Sequence, residues 1–362
     1  MNRGALFKSL PFALALLVPI GGIRLALHPA GIRLVLLPLF VFGLVPLLDV
    51  VMGRQKLTLE EQPRARDARY DVWLWLWVPI QLTALSLAVV RIGAGTPESL
   101  QAVIVEGLSM GVVSGLGINV AHELMHRPGK AERALAEVLM TAASYTHFCV
   151  EHVYGHHKHV ATPDDPASAR LNESVYRFLP RTLWGSAVSA WRIEGHRIRT
   201  AGIATLSLKN RQLRYPLVLL LVYLACFLVG GPRAVLFFAL QSAVGILLLE
   251  VINYIEHYGL SRQREATGRY QRCDPTHSWN ASERLTNWFL FHLQRHADHH
   301  ALASRPFASL RHLDESPQMP TGYAGMILLA LVPPVWKRVM NARVAEWKER
   351  GPSAQNSGTQ QM

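Results

Sequence analysis

Six runs of mainly apolar residues, each about as long as a bilayer core of roughly 30 Å asks of a helix, constrain this chain more than anything else in it. They lie at about 10–26, 32–52, 72–90, 100–121, 215–231 and 234–255 of its 362 residues. Gly230, Gly231 and Pro232 punctuate the last two, so those helices are expected to be antiparallel neighbours. Glu106 and Glu250 fall inside runs, where an acidic side chain usually faces the bundle interior. The start resembles a signal peptide, with Arg3 and Lys8 ahead of an apolar stretch. It offers no convincing small-residue cleavage site and more runs follow, so it is read as a retained helix.

The fold class expected is all-α integral membrane: a six-transmembrane-helix bundle forming a single domain over 1–350, with a cytoplasmic helical cap. Orientation comes from the basic residues. Arg3 and Lys8 precede the first run, Arg54, Lys56, Arg64, Arg66 and Arg69 follow the second, and Arg127, Lys130 and Arg133 follow the fourth. By the positive-inside rule these mark the cytoplasmic face, which puts both termini and the segments 122–214 and 256–350 there. Two shorter apolar stretches, 135–150 and 323–336, are expected to pack on the bundle or lie at the interface. The polar tail 351–362 is expected to be disordered.

Charge and cysteine content narrow the function. A net charge of +12 in a soluble protein would suggest a nucleic-acid surface, but these cations cluster beside apolar runs, which suits anionic lipid better. No nucleic-acid partner is expected. Cys149, Cys226 and Cys273 are far apart with no C-x-x-C pair, so neither a disulfide framework nor a thiolate metal site is indicated.

The chemistry is carried by histidines, 16 in all, most of them where runs end. His122 and His126 stand four apart, on one face of a helix. His152, His156 and His157 form one three-histidine cluster and His296, His299 and His300 another; His257 ends the sixth run. Nine imidazoles are too many for one structural zinc, which saturates at four ligands, so two metals are expected. Imidazole suits zinc, copper, nickel and iron, so ligand type leaves the metal open. Glu123, Glu151, Asn253, Glu256 and Asp298 accompany the ligands and are expected to accept hydrogen bonds from the far nitrogens of the rings. Asp164 and Asp165 are read as pairing with an arginine to fix their loop. His28, His196 and His312 are read as surface or hydrogen-bonded side chains; His147, His159, His277 and His292 are left outside the ligand set.

These clusters resemble those of the membrane-bound alkane 1-monooxygenases, within the fatty-acid desaturase and hydroxylase group. The motifs are H-E-x-x-H at 122–126, E-H-x-x-G-H-H at 151–157, N-Y-x-E-H-Y-G at 253–259 and L-Q-R-H-x-D-H-H at 293–300. The resemblance implies that the nine histidines bind two non-haem iron ions and that O2 is the co-substrate. It also implies that medium- to long-chain n-alkanes, taken from the bilayer, become primary alcohols. No C-x-x-C pairs are appended, so electrons are expected from a separate rubredoxin with its reductase, docking on the basic face of a bacterial inner-membrane protein. Phe40, Val41, Trp73 and Trp77 are candidates to line the substrate channel. The competing readings are a related hydroxylase acting on an aryl methyl group or a terpene, a desaturase, which N-Y-I-E-H-Y-G disfavours, and a polytopic metal transporter. A transporter would place its ligands near the bilayer midplane.

Overall fold

The computed structural model describes residues 7–56, 66–94 and 99–350. Arg3, Arg64 and the tail 351–362, on which expectations were placed, lie outside the described residues.

Among the described residues, five helices are long and apolar enough to cross a membrane. α1 (Phe7–Leu27) and α2 (Gly31–Met52) come first. α3 (Ala68–Gly93) starts where the Asp67 carboxylate accepts the Arg69 N–H, and α4 (Leu100–Met125) where the Ser99 hydroxyl accepts the Ala102 N–H. After three shorter helices, α8 runs Arg211–His257, a length of about 70 Å at 1.5 Å per residue and too long for one crossing. It breaks at Gly231, whose φ of 64° is left-handed and carries no Cβ penalty, with Pro232 next. The break falls at the turn expected from Gly230, Gly231 and Pro232.

α4 is the core of the bundle, the most buried of the five, whereas α2 lies largely on its surface. Gly107, Gly111 and Gly115, one turn apart on α4, let it approach the second half of α8: a Cβ on Gly111 would sit 2.3 Å from that of Val244. At the break itself, a Cβ on Gly93 would overlap the Val229 carbonyl. The acidic residues inside the runs face inward as expected. Glu106 is fully buried against Arg91, and Glu250 accepts from the Tyr145 and Thr182 hydroxyls at 2.6 and 2.8 Å.

Shorter helices complete the fold among the described residues. α5 (Lys130–Ala142), α6 (148–159) and α7 (Val175–Thr200) precede α8; α9 (Arg284–Phe289), α10 (His296–Ala301), α11 (Tyr323–Ala330) and α12 (Pro333–Glu349) follow it. Of the two short apolar stretches, the first is divided between α5 and α6. The second becomes α11 and the start of α12, parted at Pro333. Among the described residues no β-strand forms, only isolated bridges such as Arg54 with Glu283.

Candidate metal centre

Each histidine-bearing element ends or bends at the same place. His122 lies in the last turn of α4 and His126 caps it, while His257 is the last residue of α8. α6 begins as an α-helix at Phe148–Glu151 and widens to a π turn over His152–His156 before its last residues, His157–His159. The wider turn brings residues five apart into register, a geometry common at functional sites. His152 and His157 therefore point one way and His156 the other. On the short α10, His296 and His300 share a face at four-residue spacing, and His299 lies off it.

The nine rings fall into two groups: His122, His126, His152, His157 and His299 in one, and His156, His257, His296 and His300 in the other. Within each group the ligand atoms all lie within 4.8 Å of one another. The groups adjoin, with the His157 and His300 rings 4.5 Å apart. Nε2 atoms face Nε2 atoms: His126 to His152 at 3.0 Å, His152 to His157 at 3.1 Å, His157 to His299 at 3.2 Å. In the second group His296 to His300 is 2.9 Å and His156 to His300 is 3.3 Å. Ligands at about 2.1 Å from one metal and at right angles to each other would be about 3 Å apart, so the spacing fits imidazoles sharing a cation. The Nε2 atoms of His122 and His257 are buried with no hydrogen-bond partner, as donors reserved for a metal would be.

Burial, then repulsion between neighbouring rings, holds His152, His157, His296, His299 and His300 well below the ordinary histidine value. That leaves them as neutral imidazole, the form that binds metals. His156 is the exception. Burial opposes its charge, but Asp165, Glu151 and Glu256 outweigh it and raise the ring to about 9. Those carboxylates favour positive charge at that point, which a bound metal ion would supply.

The companions divide differently from the expectation. Asp165 accepts from His156 Nδ1 at 2.9 Å, from the Ser168 hydroxyl at 2.6 Å and from the Ala167 N–H at 3.0 Å. It therefore orients a ring, where the sequence suggested an arginine partner; its only signal was the proline-flanked Thr-Pro-Asp-Asp-Pro turn nine residues after His156. Glu256 lies 3.1 Å from the Nε2 of His296, on the side facing the other rings, and accepts from the Tyr323 hydroxyl at 2.7 Å. Glu123 binds Arg127 and the Phe307 N–H, Asp298 is clamped by Arg305 and Arg311, and Asn253 donates to Glu250. Glu151, pushed up to about 8 by burial and by Asp165, bonds Ser189 and leaves Oε1 without a partner. These four brace the elements that carry ligands, with no imidazole as a direct partner.

His277 caps its own turn and offers its carbonyl to His257 Nδ1 at 3.4 Å, and His292 Nδ1 donates to the Phe307 carbonyl. His147 lies edge-on to Tyr145 with its Nε2 buried and unpartnered; His159 is partly exposed. His312 bonds Ser282 and Asp314, while His28 and His196 are exposed.

One turn from His122 along α4, a narrow apolar cavity of about 50 Å³ begins at Asn119 and Leu116. Ile252 of α8, Phe289, Leu290 and Tyr323 also line it, as does Val41 of α2. α2 itself takes a π turn over Phe40–Leu44 there. The other channel candidates lie elsewhere. Phe40 packs edge-on against Phe289 and faces a cleft between α1 and α2. Trp77 is fully buried and donates to Gln81; Trp73 is half-buried on the core.

Apolar helices that gather histidines at one end into two adjoining metal-binding groups define a class of membrane metalloenzyme, and the fatty acid desaturase family model matches residues 98–330. The nearer relatives are more particular. Alkane 1-monooxygenase 1 of Pseudomonas aeruginosa is 44% identical over 84% of this chain and 81% of its own length. Alkane 1-monooxygenase of Acinetobacter baylyi is 39% identical over 85% of this chain and 76% of its own. The xylene/toluene monooxygenase hydroxylase component of Pseudomonas putida is 27% identical over 85% and 82%. The chain belongs to the alkane 1-monooxygenases.

Proposed function

We propose that this enzyme hydroxylates the terminal carbon of medium- to long-chain n-alkanes, consuming O2, two electrons and two protons and yielding a primary alcohol and water. The observation that carries the proposal is the pair of imidazole groups, five and four strong, with an apolar cavity one turn away. Two iron ions bound there would supply the O2-reducing and C–H-cleaving chemistry. The chain's own part is placement. A methyl group offers no charge to grip, so the cavity positions the substrate by shape and keeps water from the reacting end. At about 50 Å³ it takes only the end of a chain, and the rest lies between helices.

In this reading α8 crosses twice, its break at Gly231 on the far side, so the chain has six spans in one domain. The metal end and both termini face the cytoplasm of a bacterial inner membrane. Electrons come from a separate acidic rubredoxin. The loop after His257 supports a docking place for it, because Arg262, Arg264, Arg269 and Arg272 stand there against Glu265 and Asp274. Turnover with rubredoxin should fall steeply as salt is raised, and a salt-insensitive rate would remove this docking surface.

The 27% identity to a xylene/toluene hydroxylase component favours an aryl methyl substrate as the second reading, against 39–44% for the alkane relatives. Purified protein loaded with iron and supplied with rubredoxin, its reductase and ¹⁸O2 should convert octane to labelled 1-octanol, and toluene poorly. Oxidation of toluene in preference to octane would establish the second reading, and an alkene product would overturn both.

A further inference from the structure

We infer that α7 lies in the plane of the membrane interface, its outer face seated in an anionic lipid leaflet. The inference rests on the two-crossing reading of α8 above. α7 meets α8 at four levels: Phe178 packs edge-on against Tyr254, Thr182 bonds Glu250, Ala190 and Ile193 pack on Tyr215, and Glu194 accepts the Arg211 N–H. Counted from Gly231 at 1.5 Å per residue, Tyr254 and Glu250 are about 35 and 28 Å away, and Tyr215 and Arg211 about 24 and 30 Å. A helix of 26 residues, about 39 Å long, thus stays within a band about 10 Å deep and lies across the bundle. With the Gly231 turn at one boundary of a hydrocarbon layer about 30 Å thick, that band is the other boundary. His257 falls just beyond it, at about 39 Å.

The outward face has the composition for that depth. Trp184 and Trp191, two turns apart on one stripe, are 76% and 61% exposed, and Leu206, just past the helix, is 86% exposed. Indole rings favour the headgroup level, and apolar side chains this open gain by entering lipid. The cations sort the same way. Arg181 and Arg197 turn inward to Glu173 and Glu194, whereas exposed Arg177, Arg192 and Arg199 have no carboxylate partner among the described residues. Beside them a 450 Å³ pocket walled by Lys158, Arg170, Trp184 and Arg192, with Asp164 as its one carboxylate, keeps the excess of positive charge that a phosphodiester headgroup matches. This face therefore binds lipid, and the basic loop after His257 is left to the electron donor.

The test uses the full chain in vesicles of phosphatidylcholine and phosphatidylglycerol, without turnover, so its outcome does not depend on which hydrocarbon is oxidised. The emission lost in Trp184→Phe/Trp191→Phe isolates these two indoles. Acyl chains brominated near the headgroup should quench that difference emission more than iodide in the water does. Stronger quenching by iodide would place the face in water, open to a soluble acidic partner, and would overturn the proposal. A second measurement reads the headgroup: Arg192→Gln/Arg199→Gln should retain at least twofold less phosphatidylglycerol through purification, and equal retention would overturn the anionic preference.

Discussion

An imidazole binds a metal through the nitrogen that carries no proton, so whatever holds the other nitrogen decides how well the ring is aimed. For His156 that partner is Asp165, itself fixed by Ser168 and the Ala167 N–H. Replacing Asp165 by Asn keeps an acceptor of the same shape but removes the charge that favours a cation. Asp165→Asn should hold iron about 10- to 100-fold more weakly, read as iron per chain against a graded chelator. Iron retention equal to the parent's would leave Asp165 as a loop residue. Val41 poses a question of shape alone. Filling its place in the cavity with indole should shorten the preferred alkane, since an added ring in a close-packed site displaces whatever occupied it. An unchanged chain-length profile for Val41→Trp would take that position out of the channel.

At the scale of elements, the spacing of histidines announces a ligand list, but winding decides which ligand goes where. A regular α-helix through α6 would group His152 with His156, four apart. The π turn groups His152 with His157 instead and sends His156 to the second site. No residue preference marks a π turn, so this partition was not legible in the sequence. The apolar runs, by contrast, were legible to within a few residues, because burying a helix in lipid demands length and composition at once. A π turn is one residue inserted into an α-helix, so deleting Val153 leaves His152 and His157 four apart on a regular helix and still on one face. Iron per chain in the deletion variant should therefore stay close to the parent's, with helix content unchanged. A large loss of iron would show that the wide turn itself is needed to aim the two rings.

Across the whole molecule, the metal end is tied together by charges that sequence distance conceals. Arg127, one residue past the last ligand on α4, reaches Asp71 at the start of α3 at 3.0 Å and Glu123 at 2.7 Å. Asp71 also accepts from Arg66 at 2.6 Å, and Arg66 reaches Glu132 of α5. Glu123 in turn holds the Phe307 N–H, so one buried network links α3, α4, α5 and the segment after α10. Glu123 read from sequence alone as a neighbour of ligands; its network was invisible because nothing local to residue 123 points to residues 71 or 307. Removing one partner from such a network costs more than the network contributes, since it strands a buried charge, at about 3–5 kcal/mol. Arg127→Gln should therefore lower the temperature at which the detergent-solubilised protein loses its fold by several degrees. Arg127→Gln/Asp71→Asn, which removes both ends of the ion pair between α4 and α3, should lose less than the two single variants do together. Such recovery would place the effect in the pair rather than in the lost side-chain volume. If the two substitutions were simply additive, Arg127 and Asp71 would be independent neighbours, and the clamp between α3 and the metal-bearing end of α4 would have to lie in packing alone.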